Sequence, residues 1–368
     1  MAATDAWRRI ARRVAGLFGS LLASNAGHAA TLPEDKAEAM YHIYEGGGLK
    51  AEGPALLVRK SLGDRISVSG SYYVDAVTNA SIDVVTTASP FKETRKAYDL
   101  GLDYLVRDSV VSVSAYNSSE PDYDASSVSL GVSQEMFGGM TTVTLGYTRA
   151  SDKVLKKGAP EFSDRARHWQ YRVGVTQILT PRWLASLNFE AISDDGFLGS
   201  PYRSAREFGA PVPERLPRTR TSRAVKLRAV GDIGARQAVR GEYRYFWDTW
   251  DIKAHTVEAG YSRYFGDEWL VDGFARWHSQ DRALFYSDNA TTSTRYLSRS
   301  RQLGTFSDFG MGLKATWTAR TVPGQYVLKL HGAYEFVRYK FKDFTDVRTG
   351  QPYAYDASIL QLFVSATF

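Results

Sequence analysis

The chain has 368 residues, 43% of them hydrophobic, 13% aromatic and 23% charged, with a formal net charge of +6. So aromatic a composition excludes a disordered chain, and no run of about 18 apolar residues is present to form a transmembrane helix. The absence of cysteine excludes disulfides, thiolate metal sites and a cysteine nucleophile.

Residues 1–29 read as a secretory signal peptide. Arg8, Arg9, Arg12 and Arg13 precede the apolar stretch Val14–Ala23, and Gly27 and Ala29 supply the small residues of a cleavage site. Cleavage near Ala29 removes four Arg and one Asp, so the net charge falls from +6 to +3 and the case for a nucleic-acid partner weakens. Residues 30–37 are expected to form a short periplasmic segment, followed by a barrel over 38–368. Ala39–Glu45 is the expected first strand, with Glu45–Gly53 as its outer loop.

From there the apolar period is two, not 3.6. Ile66, Val68, Tyr72 and Val74 alternate with Ser67, Ser69, Ser71, Tyr73 and Asp75, and Tyr98, Leu100, Leu102 and Tyr104 alternate with Asp99, Gly101 and Asp103. The same holds for Val225, Leu227 and Ala229 against Lys226 and Arg228, and for Leu328, Leu330 and Tyr334 against Lys329, His331 and Glu335. Connections alternate in length. Short turns are expected near Gly63-Asp64, Asp108, Phe137–Gly139, Thr180–Arg182, Gly234-Ala235, Gly266-Asp267 and 319–324. Longer polar loops are expected at 77–96, 117–124, 151–168, 193–221, 282–304 and 342–353, with Asp248–Asp251 as a brief exception. Trp169, Trp183, Trp247, Trp269, Trp277, Trp317 and Tyr147 stand near strand ends, where interfacial girdles occur. The last strand, Ile359–Phe368, ends on an aromatic residue and resembles the signal read by barrel-insertion machinery.

These features predict an all-β fold, a closed antiparallel transmembrane β-barrel in the Gram-negative outer membrane. Hydrocarbon cannot hydrogen-bond a free strand edge, so the sheet must close. Both termini on the periplasmic side require an even strand number. Sixteen fits the count, with fourteen if one hairpin is miscounted. Short turns then face the periplasm and long loops the exterior.

Four stretches resemble an outer-membrane barrel family catalogued as a domain of unknown function (number 3570). They are Gly63–Asp75, Leu100-Gly-Leu-Asp-Tyr104, Ser118-Ser-Glu-Pro-Asp-Tyr-Asp-Ala125 and Gly131-Val-Ser-Gln-Glu-Met-Phe-Gly138. The resemblance covers residues 38–150 clearly and the rest by architecture. It implies the barrel fold and the outer membrane but no established activity. Its association with a flavin-attaching transferase and a small lipoprotein hints at a periplasmic redox partner.

Candidate chemistry is sparse. His42, His168, His255, His278 and His331 form no metal-ligating pair by spacing, and no cofactor is implied. His278 with Asp272 and Arg276, and His331 with Glu335, face the expected lumen, where they could build a composite hydrolase site or simply form its polar lining. Glu120, Asp122 and Asp124 form a weak calcium candidate. Arg203, Arg206, Arg215, Arg218, Arg220 and Arg223 form a loop patch. It could meet the phosphates of lipopolysaccharide, stay solvated, or fold inward as a basic constriction.

The period of two also assigns lumen-lining candidates: Asp75, Asp99, Asp103 and Arg107 in the first third, then Arg172, Lys226, Arg228, Arg240, Glu242, Arg244 and Glu258. Asp272, Arg276, His278, Lys329, His331 and Glu335 complete the set. Their charges make either a transverse field or an interior salt-bridge lattice. Inward Ser67, Ser69, Gly101, Ser127, Ser129, Gly131, Ser133, Thr144 and Gly146 leave space. A passive channel for small solutes or ions is the expected function. The alternative is a sleeve around a periplasmic lipoprotein or redox carrier, and a barrel enzyme comes third.

Overall fold

A computed structural model describes residues 30–79 and 91–368; the signal-peptide reading of 1–29 lies outside the described residues. The first half of the chain forms β1 (Lys36–Gly46), β2 (Leu49–Ser61), β3 (Ile66–Asn79), β4 (Phe91–Val106), β5 (Ser109–Glu120), β6 (Tyr123–Met136), β7 (Thr141–Leu155), β8 (Ser163–Thr180) and β9 (Trp183–Gly196). A small hairpin follows, β10 (Ser204–Glu207) and β11 (Ala210–Pro213). The remainder is β12 (Thr219–Gly234), β13 (Gln237–Asp248), β14 (Lys253–Phe265), β15 (Trp269–Gln280), β16 (Phe306–Val322), β17 (Tyr326–Thr345) and β18 (Pro352–Thr367).

All but β10 and β11 close into one antiparallel barrel of sixteen strands, each paired with its sequence neighbour and β9 with β12. The ring shuts between β1 and β18, in register from Lys36↔Thr367 to Gly46↔Ala357. Closure pairs every strand edge, as a hydrocarbon surround requires. The seam is reinforced at the short-turn end. Phe368 N–H donates to the Asp35 carbonyl (3.1 Å), and Lys60 Nζ lies 2.7 Å from Asp35 Oδ2 and 4.9 Å from the Phe368 ring centroid.

The pleat sorts the residues. Leu100, Leu130, Leu145, Leu187, Leu227, Leu313 and Leu362 all point outward and lie bare, Leu100 at 67% exposure. Such a band is unfavourable in water and is the lipid-facing surface of a membrane barrel. Trp269 and Trp317 stack at 6.0 Å near the short-turn end, while Trp169, Trp247 and Trp277 lie toward the other. Turns at the short end are tight. Ala235 and Arg236, for example, both take positive φ (49° and 60°), the mirror-image turn that matches strand twist.

Three local expectations are corrected. Glu45–Gly53 is not a loop: β1 and β2 turn on Gly47 and Gly48, both at positive φ, and strand pairing runs through the stretch. Residues 117–124 are likewise almost all strand, with Pro121 and Asp122 alone between β5 and β6. Arg107 does not line the interior. It sits in the β4–β5 turn at φ 53°, exposed, because the hairpin closes one residue earlier than the alternation suggested. The connection expected over 77–96 falls partly on 80–90, outside the described residues.

Candidate functional site

The site is the inner wall of the barrel and its long-loop mouth. Along β3–β7 the inward positions are small and polar: Ser67, Ser69, Gly101, Ser112, Ser114, Ser127, Ser129, Gly131, Thr144 and Gly146. On the other side of the ring the inward positions are long and charged, and many are paired across strands. Arg244 lies 3.8 Å from Glu190, Lys226 3.4 Å from Glu242, and Arg240 3.5 Å from Glu258. Arg276 bridges Asp308 (3.0 Å) and Glu335 (3.8 Å). This is the salt-bridge lattice: its partners are offset by two residues on adjacent strands or, for Arg244–Glu190 and Arg276–Glu335, lie on either side of an intervening strand.

The lattice does not absorb everything. Asp103 accepts from the Ser112 hydroxyl (2.5 Å), and Asp99 shares its face on β4. Arg228 on β12 and Lys314 on β16 stand six strands from β4 in either direction around the ring. Arg172 and Lys329 also face inward, Arg172 lying over the bare backbone of Gly146. Asp99 and Asp103 thus stand across the interior from Arg228 and Lys314, which pair in register with Glu242 and Asp272.

His278 and His331 each take hydroxyl partners on the adjacent strands. His278 Nδ1 lies 2.8 Å from Thr256 Oγ1, and its ring lies against Phe306. His331 sits between Thr316 (2.9 Å) and Ser365 (2.8 Å) and stacks on Phe363 at 4.0 Å. Asp272 takes the Ser262 hydroxyl, while Arg276 and Glu335 belong to the lattice.

Two other histidines carry the denser constellations, and local spacing gave no sign of them. His42 Nε2 lies 2.7 Å from Asp75 Oδ1 and 2.8 Å from the Tyr73 hydroxyl, with His42 and Asp75 at 2% and 0% exposure. His42 is on β1 and Asp75 on β3. They meet because the residue paired with His42 on the intervening strand is Gly53. A Cβ there would lie 1.9 Å from the Val74 carbonyl oxygen. Further round, His168 lies between Asp194 (2.5 Å) and Asp152 (3.0 Å), and Tyr123 donates its hydroxyl to Asp152. Beside Asp75, with which it pairs in register, Arg95 donates its guanidinium to Ser118 (2.9 Å) and Tyr116 and lies 3.9 Å from Glu120. The signal that could have found them is strand register: His168 pairs directly with Asp194 across β8 and β9.

The calcium candidate is rearranged. Asp124 points outward and accepts from the Ser119 hydroxyl (2.7 Å), whereas Glu93 from β4 joins Glu120 and Asp122.

The mouth is covered. The connection 197–218, carrying β10–β11, and the connection 281–305 are tied together by bridges Glu207↔Ala290 and Arg215↔Leu297 and bury Ala205, Ala290 and Leu297 between them. On one side Tyr202 reaches the neighbouring β7–β8 connection, where its hydroxyl accepts the Lys157 amide (2.6 Å). Burial, and then a hydrogen bond with Asp122 and the charges of Asp122 and Glu93, push its phenol up to about 12 against the Lys157 bond. On the other side Tyr286 donates to the Asp343 carbonyl (2.9 Å), and Arg301 lies over the inward rings of Tyr353 (5.4 Å) and Tyr355 (5.2 Å). Beneath, Phe306, Tyr339, Phe341, Phe344 and Tyr353 pack with Met40, Tyr44 and Val77 into an apolar cluster inside the mouth.

The Arg-rich segment is part of this cover. Arg215 pairs with Glu207 (3.2 Å), Arg218 with Asp164 (2.8 Å), and Arg220 with Asp248 while lying over Trp250. The hydroxyl of Ser293, then Arg215, hold the Glu207 carboxyl below its ordinary range.

Comparison with curated proteins returns no match. Among solved structures, the chain resembles a bacterial polysaccharide outer-membrane secretin at 10% identity and a TM-score of 0.50, covering 91% of this chain and 99% of the other. It also resembles the siderophore receptor PirA from Pseudomonas aeruginosa (11% identity, TM-score 0.46, 86% of this chain), spanning 60% of that receptor's length. A third likeness is to the CymD monoaromatic hydrocarbon channel (11% identity, TM-score 0.43, covering 92% and 89% of the two chains). These likenesses are of fold. The family model described as protein of unknown function (DUF3570) matches residues 76–164 and 156–327, more than half of the chain, and the protein belongs to that family of outer-membrane β-barrels.

Proposed function

We propose that the protein is an outer-membrane channel for small polar solutes or ions, with an interior passage covered at the mouth by its two longest connections. The observation that carries the reading is the inner wall: a hydroxyl- and glycine-lined half on β3–β7 opposite a half of charged groups held in cross-strand pairs. A wall of this chemistry favours water and small polar solutes, and a sixteen-strand ring is wide enough to hold them. Short turns face the periplasm and the covered mouth faces outward, after removal of residues 1–29. Lipopolysaccharide is the lipid neighbour of the outer rim, and the strand ending at Phe368 is the handle for the insertion machinery. Catalysis has no part in this reading.

The test is flux. Liposomes carrying the refolded protein should swell in small sugars, at rates falling with solute size. Under a salt gradient Asp103→Lys should move the reversal potential toward anion preference. A correctly folded barrel that passes neither sugars nor ions would overturn the channel reading. It would favour a sleeve around a periplasmic lipoprotein or redox carrier.

A further inference from the structure

At the rim of the mouth, Glu93, Glu120 and Asp122 each place one carboxylate oxygen within 4.8 Å of the other two. They come from β4, the end of β5 and the β5–β6 turn, so strand pairing and not chain proximity assembles them. Three carboxylates so close repel one another unless a cation lies between them. Among the described residues, Arg95 and Lys157 are the cations that act on the group. Arg95 stands 3.9 Å from Glu120 and spends its guanidinium on Ser118 and Tyr116. Lys157 acts on Glu93 only through its charge. A second observation points to a ligand: Asp122 is 5% exposed, and its Oδ1 is buried without a hydrogen-bond partner. An oxygen left in this state calls for a further donor or an ion.

We propose that Glu93, Glu120 and Asp122 bind one hard divalent cation, Ca²⁺ in the first instance. Ca²⁺ takes oxygen ligands at about 2.3–2.6 Å, so oxygens on opposite sides of one ion lie up to about 5 Å apart, the spacing seen here. Glu93 and Glu120 are half-buried, which leaves a path for the ion and positions for water. The site lies directly beneath Tyr202, whose phenol faces Asp122 and Glu93 from the 197–218 connection. The bound ion neutralises the rim on which this connection rests and holds the cover in place.

The experiment uses protein refolded in detergent free of lipopolysaccharide and stripped with chelator, with Tb³⁺ as the probe excited through nearby tyrosines. Folding of each variant is verified by heat-modifiable migration. The expected result is a saturable luminescence signal displaced by Ca²⁺, with apparent affinity at least tenfold weaker in Glu93→Gln and in Asp122→Asn. Asp124→Asn, whose side chain points outward, should bind as the parent does. Ca²⁺ should also raise the heat-unfolding midpoint of the parent but not of Glu93→Gln. Absence of a saturable signal, or equal affinity in the parent and in a folded Glu93→Gln/Asp122→Asn double variant, would overturn the site.

Discussion

Gly53 decides whether His42 can reach Asp75 two strands away. With no side chain at 53, the imidazole crosses β2 and lands 2.7 Å from the carboxylate. Gly53→Ala puts a methyl 1.9 Å from the Val74 carbonyl oxygen, so β2 and β3 must part. A loss of about 1–3 kcal/mol is expected, the usual range for overpacking, read as a lower urea midpoint. His42→Ala should cost more, about 3–5 kcal/mol, because it leaves a buried carboxylate without its partner. At the opposite end, Lys60 and the Ser61 hydrogen bonds hold Asp35 at about 2, below its ordinary 3.8. A depressed folded-state value means that the contact stabilises fully above the unfolded value and fades as pH falls toward 2. The stability difference between the parent and Asp35→Asn should therefore be constant near neutrality and shrink between about pH 4 and 2. A difference that grows on acidification would contradict the assignment.

At the scale of elements, the strands and their faces were legible because a membrane barrel writes lipid and lumen on alternate residues. Leu100 and Leu102 against Asp99 and Asp103 is that alternation read directly. Turn lengths were legible where Gly-Asp or Gly-Ala pairs mark a tight hairpin, and misread where polar strand ends outside the lipid band resemble a loop, as over 117–124. The histidine sites were not legible. His42 and Asp75 are 33 residues apart, His168 and Asp194 26, and only cross-strand register brings them together. Glu93 was missed in the same way, since nothing near it in sequence announces Glu120. The face assignment makes its own prediction: Leu100→Lys should cost about 2–4 kcal/mol near the bilayer midplane and sharply reduce folded protein in the membrane. Lys329→Gln, on the inner face, should assemble as the parent does. Equal yields from the two would sink the assignment of faces.

For the whole molecule, the sixteen-strand ring explains how a chain with a mean hydropathy of −0.32 lives in lipid. Its apolar residues are spread one in two around the outside instead of gathered in a helix. The polar interior this leaves is closed off at one end by connections 197–218 and 281–305, tied to each other and to the rim. In the proposed channel this cover limits a passage that runs through the barrel. The most direct test is single-channel conductance in a planar bilayer, comparing the intact protein with a variant in which residues 283–303 are replaced by a short Gly-Ser linker. A small conductance is expected for the intact protein and a steady, several-fold larger one for the variant, with both barrels equally folded. Equal conductance in the two, or silence from both, would contradict this reading.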